Sequence, residues 1–207
     1  MDRQLHLVTD PALDAVEQVR RIEAAIPHGI DTVHVRMPSG VACEVYELAV
    51  VLQASLLDRD IPLIVNDRVD VALAVNAKGV QLGVRSLPVR AVRQMLGPEA
   101  PIGASVHSVD EARAAEREGA TWVSFGHVYE TASHLDEPPR GFEVLHDVVD
   151  AVRVPVIAIG GITAERVPEV LGAGASGIAV ISAILGAEDI AGATRSLREA
   201  LDAHFDV

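Results

Sequence analysis

Eight short runs of β-branched and aliphatic residues alternate with longer stretches of helical period from one end of this chain to the other. That alternation constrains the fold more than any other feature. The runs are residues 5–9, 32–36, 62–66, 79–82, 102–105, 122–125, 154–159 and 177–180. Helix-like segments fall near 11–26, 41–58, 68–76, 88–96, 108–118, 142–152, 163–172 and 183–204. Strands separated by helix-length segments predict a parallel sheet with crossover helices. In residues 110–119, for example, Ala112, Ala114 and Ala115 alternate with Glu111, Arg113, Glu116 and Arg117, and Gly119 supplies a left-handed stop.

Eight βα units in 207 residues predict a closed (β/α)8 TIM barrel, a single α/β domain over residues 1–207 with short loops. A doubly wound open sheet is the alternative. It usually carries a Gly-x-Gly-x-x-Gly turn after a strand, whereas the first junction here reads Val8-Thr9-Asp10-Pro11.

The charge balance narrows the function. Seventeen Lys+Arg against 30 Asp+Glu leave a formal charge of −13, with 49% hydrophobic residues. An acidic chain lacks the basic face that displaces counterions from nucleic acid, and it is repelled by an anionic membrane. No apolar run is long enough for a membrane span and no leader pattern opens the chain, so a cytoplasmic protein is expected. Cys43 is the only cysteine, which excludes an intrachain disulfide and a thiolate metal cage. It is expected to pack as a small buried hydrophobe on a helix.

In a barrel, polar residues just past each strand converge on one mouth. These are Thr9, Asp10, Arg36, Asn66, Asp67, Gln81, Ser105, His107, His127, Gly160, Gly161 and Ser182. Gly160 and Gly161 end the seventh run, and Ile181 and Ser182 end the eighth. Loops there, with bare N–H groups and positive helix ends, suit a phosphate; tight turns and ordinary helix caps are the plain alternative. Arg36 suits a phosphate or carboxylate through its planar fork. His127 has the chemistry of an acid/base, although from spacing alone a lone histidine is more often structural. Asp67 has a plain role open to it as a helix cap. His6, His28, His146 and His204 are expected to be peripheral, and no zinc site is expected. Residues 130–140, with Pro138 and Pro139, are expected to overhang the mouth.

Several motifs in order, Leu7-Val8-Thr9-Asp10, Val33-His34-Val35-Arg36, Asn66-Asp67-Arg68-Val69-Asp70, Gly79-Val80-Gln81-Leu82-Gly83, Gly103-Ala104-Ser105-Val106-His107-Ser108 and Ala158-Ile159-Gly160-Gly161-Ile162, resemble the thiamine phosphate synthase superfamily. That superfamily includes the thiazole tautomerases of bacterial thiamine biosynthesis. The resemblance implies a (β/α)8 barrel and, commonly, a homo-oligomer.

Synthases resemble one another in a Gln-x-Arg-x-Lys motif; here the run is His34-Val35-Arg36-Met37-Pro38. The resemblance also implies two Mg²⁺-binding aspartates. Asp67 matches the first, and Ser86 stands near the expected second. The synthases' Thr-x-Thr-Lys becomes Thr131-Ala132-Ser133-His134, which loses a further lysine. Gly126-His127-Val128-Tyr129-Glu130-Thr131 resembles the tautomerase motif instead. The resemblance therefore leads to an expected isomerase, needing no metal or cofactor, that aromatises a dihydro thiazole carboxylate phosphate with His127 as acid/base. Arg36, Asn66, Ser105 and Ser133 would hold the ring and carboxylate, and Gly160, Gly161, Ile181 and Ser182 the phosphate. A synthase joining thiazole phosphate to a pyrimidine pyrophosphate with Mg²⁺, and a noncatalytic metabolite sensor, are the alternatives.

Overall fold

The computed structural model describes residues 3–131 and 137–203. Its strands are β1 (Gln4–Val8), β2 (Thr32–Val35), β3 (Leu63–Asn66), β4 (Gly79–Leu82), β5 (Ile102–Val106), β6 (Trp122–Gly126), β7 (Val156–Ile159) and β8 (Gly177–Val180). They pair in sequence order, all in parallel, and β8 pairs with β1 to close the barrel. The expected (β/α)8 fold is the one found. Among the described residues no helix is long and apolar enough to cross a membrane.

The crossovers are α1 (Ala15–Ala25), α2 (Ala42–Leu56), α3 (Val69–Ala74), α4 (Val89–Leu96), α5 (Val109–Arg117), α6 (Phe142–Ala151) and α7 (Val167–Gly172), with α8 (Ser182–Leu185) and α9 (Ile190–Asp202) closing the chain. The helix expected over 183–204 is thus two, separated at Gly186, where the backbone N–H returns to Ser182 O. Local capping starts several helices: Asp14 accepts from Glu17 N at 2.9 Å, Ser108 caps α5 and Asp189 caps α9. The left-handed stop expected after α5 is present, with Gly119 at φ +98°.

Strand alternation divides the core. Leu5, Leu7, Val33, Val35, Leu63 and Val65 point outward into the layer beneath the helices. Inside the barrel, Val8, Ile157 and Ala179 pack with Trp122, Ile159 and Ile181. Ile64 shares that interior, which is otherwise largely polar: His6, His34, Gln81 and Ser124 are all buried. Trp122 Nε1 donates to Gln81 Oε1 at 2.9 Å, Ser124 Oγ donates to the same oxygen at 3.1 Å, and Gln81 Nε2 donates to Ser105 Oγ at 3.1 Å.

Gly103 makes room for this network. A Cβ there would lie 2.1 Å from Trp122 Cε2 and 2.2 Å from Gln81 Oε1. The indole is rigid and hydrogen-bonded, so it cannot simply swing aside. Gly103→Ala is expected to cost about 2 kcal/mol through overpacking, read as a lowered urea midpoint with unchanged slope.

Two sequence expectations about burial are corrected. His6 is not peripheral: it is 7% exposed inside the barrel. Cys43 is exposed rather than buried, because it lies in the first turn of α2 while Val45, Leu48, Ala49, Leu52 and Leu56 form the buried stripe.

Candidate active site

The carboxyl ends of the strands place most of the expected residues on one mouth. Arg36 follows β2, Asn66 ends β3, Ser105 lies one residue inside the end of β5, and His127 follows β6. Gly160 and Gly161 follow β7; Ile181 and Ser182 follow β8. Ser133 lies outside the described residues, as does His134.

Arg36 is positioned by its backbone. Thr9, fully buried, donates its hydroxyl to Arg36 O at 2.9 Å and accepts from Arg36 N at 2.7 Å. The guanidinium itself, half-buried, makes no hydrogen bond or ion pair among the described residues, which leaves its fork available at the mouth.

Asp67 sits at φ +63°, a left-handed conformation that aspartate tolerates better than most residues. It turns the chain out of β3, and its N–H donates to Gln81 O at 2.9 Å. Its Oδ1 accepts from Gly83 N at 2.8 Å and from the Ser86 hydroxyl, while Gly83 N also reaches Ser86 Oγ at 2.9 Å. The carboxylate is therefore a brace between the β3 and β4 loops.

That arrangement does not fit a resident Mg²⁺. One carboxylate oxygen is already committed to two donors, and the second position offers a neutral hydroxyl. Among the described residues there is no group of three or more His, Cys, Asp or Glu side chains that could hold a metal. Mg²⁺ is usually held by carboxylates, water and substrate phosphates together, and among the described residues the β3 and β4 loops bring one carboxylate, Asp67, to this position.

His127 is 4% exposed. Its Nε2 lies 3.2 Å from Glu137 O, and its own carbonyl accepts from Arg140 N at 2.9 Å, so the ring and backbone tie the returning segment 137–140 to the end of β6. Gly160 packs directly on it: at φ +101°, a Cβ there would stand 2.3 Å from His127 Cβ. On Gly161, at φ +66°, a Cβ would stand 2.4 Å from Glu130 O. These contacts bring loops six and seven together.

Tyr129 and Arg166 lock the same corner. Arg166 lies 4.4 Å over the Tyr129 ring and donates to Gly161 O at 2.5 Å. The Tyr129 hydroxyl donates to Glu169 at 2.5 Å; burial, then that carboxylate, pushes its pKa up to about 12. His107 is engaged by its own helix, Nδ1 lying 3.2 Å from Glu111 Oε2.

Beneath the mouth lies a pair the sequence did not reveal. His6 Nδ1 and His34 Nε2 are 3.0 Å apart, with ring centroids separated by 5.1 Å. Burial lowers the His34 pKa to about 4, offset in part by Asn66; burial, then His34, lowers that of His6 well below the usual value. Both rings are neutral near pH 7. Asn66, above them, has its Oδ1 buried; its side chain acts on His34, and among the described residues that oxygen makes no hydrogen bond of good geometry.

The family model described as thiamine monophosphate synthase matches residues 5–184. The chain belongs to the thiamine monophosphate synthase family. Within that family it is 40% identical to a thiamine-phosphate synthase of Syntrophomonas wolfei, covering 96% of each chain. It is 39% identical to one of Pyrococcus abyssi, over 96% of this chain and 95% of the relative. A solved thiamine phosphate pyrophosphorylase from Pyrococcus furiosus superposes with TM-score 0.89 at 39% identity, over 98% of this chain and 96% of the other.

These relatives overturn the expected tautomerase. Proteins this similar from end to end carry the synthase name, a transferase rather than an isomerase. The expectation weighed single substitutions, at positions 38, 86, 127 and 134, above the whole mouth. The structure shows how two of those positions are accommodated: Ser86 hydrogen-bonds Asp67, and His127 anchors a loop segment.

Proposed function

We propose that this chain is a thiamine-phosphate synthase, a transferase joining a thiazole phosphate to a pyrimidine diphosphate with release of pyrophosphate. End-to-end identity of about 40% with proteins of that name carries the reading. In the reaction the thiazole ring nitrogen forms a bond to the methylene carbon of the pyrimidine, and the carbon–oxygen bond to the diphosphate breaks. The electron pair leaves with pyrophosphate.

The chemistry asks the protein for positive charge where negative charge develops, and for orientation of two rings. Arg36 is the proposed diphosphate clamp. The only lysine in the chain, Lys78, precedes β4 at the opposite end of the barrel, so no lysine serves this mouth. Gly160, Gly161, Ile181 and Ser182 are proposed to receive the thiazole phosphate on backbone N–H groups. Asn66 and Ser105 are proposed to hold a heterocycle: Asn66 ends β3 at the mouth with its side-chain amide buried there, and Ser105 is pre-set by Gln81. Ser133 is proposed at the same mouth from sequence alone. His127 is proposed as a positioning residue that holds segment 137–140 over the substrates.

Incubating the protein with thiazole phosphate and pyrimidine diphosphate in Mg²⁺ buffer is expected to yield pyrophosphate and thiamine phosphate in equal amounts. Pyrophosphate release no faster than in protein-free controls overturns the proposal.

A further inference from the structure

At the amino ends of the strands, opposite the candidate active site, the barrel opens into a cavity of about 370 Å³. That volume is within the range of small-molecule sites, roughly 300–1,000 Å³. Its walls include Trp122, Ile64, Ile157 and Pro101, with His6 also in the lining and the exposed Lys78 at its edge.

Two features make this more than a gap under the barrel. The apolar wall is preformed, because Trp122 is fixed by its hydrogen bond to Gln81 and seated against Gly103, where a side chain would collide with it. The charge is also one-sided. Among the described residues lining the cavity there is no carboxylate, in a chain with 30 Asp+Glu, and the single lysine of the sequence stands there. Lys78 enters no ion pair among the described residues. A lysine without an ion pair among the described residues, in one lining with a rigid indole and aliphatic walls, selects an anion with a flat apolar body. A neutral ring forgoes the charge, and a small hydrophilic anion forgoes the apolar contact.

We propose that this cavity is a second ligand site, which binds a small aromatic carboxylate with its ring against Trp122 and its carboxylate on Lys78. The proposal is independent of the synthase reading.

Trp122 is the only tryptophan, so its fluorescence reports this cavity directly. Titration of the whole protein with benzoate is expected to give a saturable change. Benzyl alcohol and acetate, which lack the charge and the ring respectively, are expected to bind at least about tenfold more weakly, a difference of about 1.4 kcal/mol. Lys78→Met, on an exposed side chain, is expected to weaken benzoate by the same factor while leaving pyrophosphate release unchanged. Absence of a saturable change, equal affinity for acetate, or unaltered benzoate affinity in Lys78→Met each overturns the proposal.

Discussion

Replacing Arg36 with methionine is expected to lower kcat/KM for pyrophosphate release by about 100-fold or more, the loss seen when one preorganised charge donor to a developing anion is removed. The expectation rests on what surrounds the side chain. Its backbone is clamped on both sides by the Thr9 hydroxyl, and its guanidinium has no protein partner among the described residues. Of the other arginines past the carboxyl ends of the strands, Arg166 is engaged on Tyr129 and Gly161, Arg140 on Glu137 and Arg68 on Asp70, while Arg85 after β4 is exposed on the surface, away from a clamping backbone such as Thr9 gives Arg36. Methionine keeps the apolar stem, so folding should be preserved and Tm nearly unchanged. Arg36→Lys should recover part of the rate, because the charge returns without the planar fork. Turnover in Arg36→Met equal to that of the wild type would remove Arg36 from the diphosphate site.

Much of the barrel was legible because its signals are local. The bounds of β4 and β8 match the predicted runs residue for residue, each opening on a glycine and closing at a polar or glycine turn. Ends without such a marker moved by a residue or two, as β1 did from 5–9 to Gln4–Val8. Interior contacts are not local. His6 and His34 stand 28 residues apart and meet only because β1 pairs with β2, so spacing along the chain could not bring them together.

The location of the mouth was likewise readable, since the carboxyl end of each strand follows from topology. What its residues do was not. A lysine missing from a motif looks like a lost function when residues are compared one at a time. In the folded mouth, the Arg36 guanidinium has no partner among the described residues, and the hydroxyl at Ser86 completes a brace with Asp67 rather than leaving a gap. The motif around His127 does not reveal that its Nε2 faces the Glu137 carbonyl, a contact made only once the segment after β6 returns.

The buried histidine pair carries the second large effect, on stability rather than rate. His34 titrates near 6.5 when unfolded and at about 4 in the fold, chiefly because burial disfavours its charged form. As pH falls below 6.5 the unfolded chain takes up a proton that the folded barrel refuses, so the unfolded state gains. Stability is therefore fully present above 6.5, is lost progressively as pH drops toward 4, and levels off once both states are protonated. The loss from His34 alone is about 3 kcal/mol, and His6, lowered in the same direction, adds to it. Acidic groups elsewhere also titrate in this range, so the informative quantity is the difference between wild type and His34→Gln, which keeps a polar side chain in the barrel but has no proton to gain. Urea midpoints followed from neutral pH to about 4 should fall more steeply for wild type than for the variant. Parallel curves would mean that the imidazole is already accommodated as a cation, and that the interior of this barrel is wetter than its packing indicates.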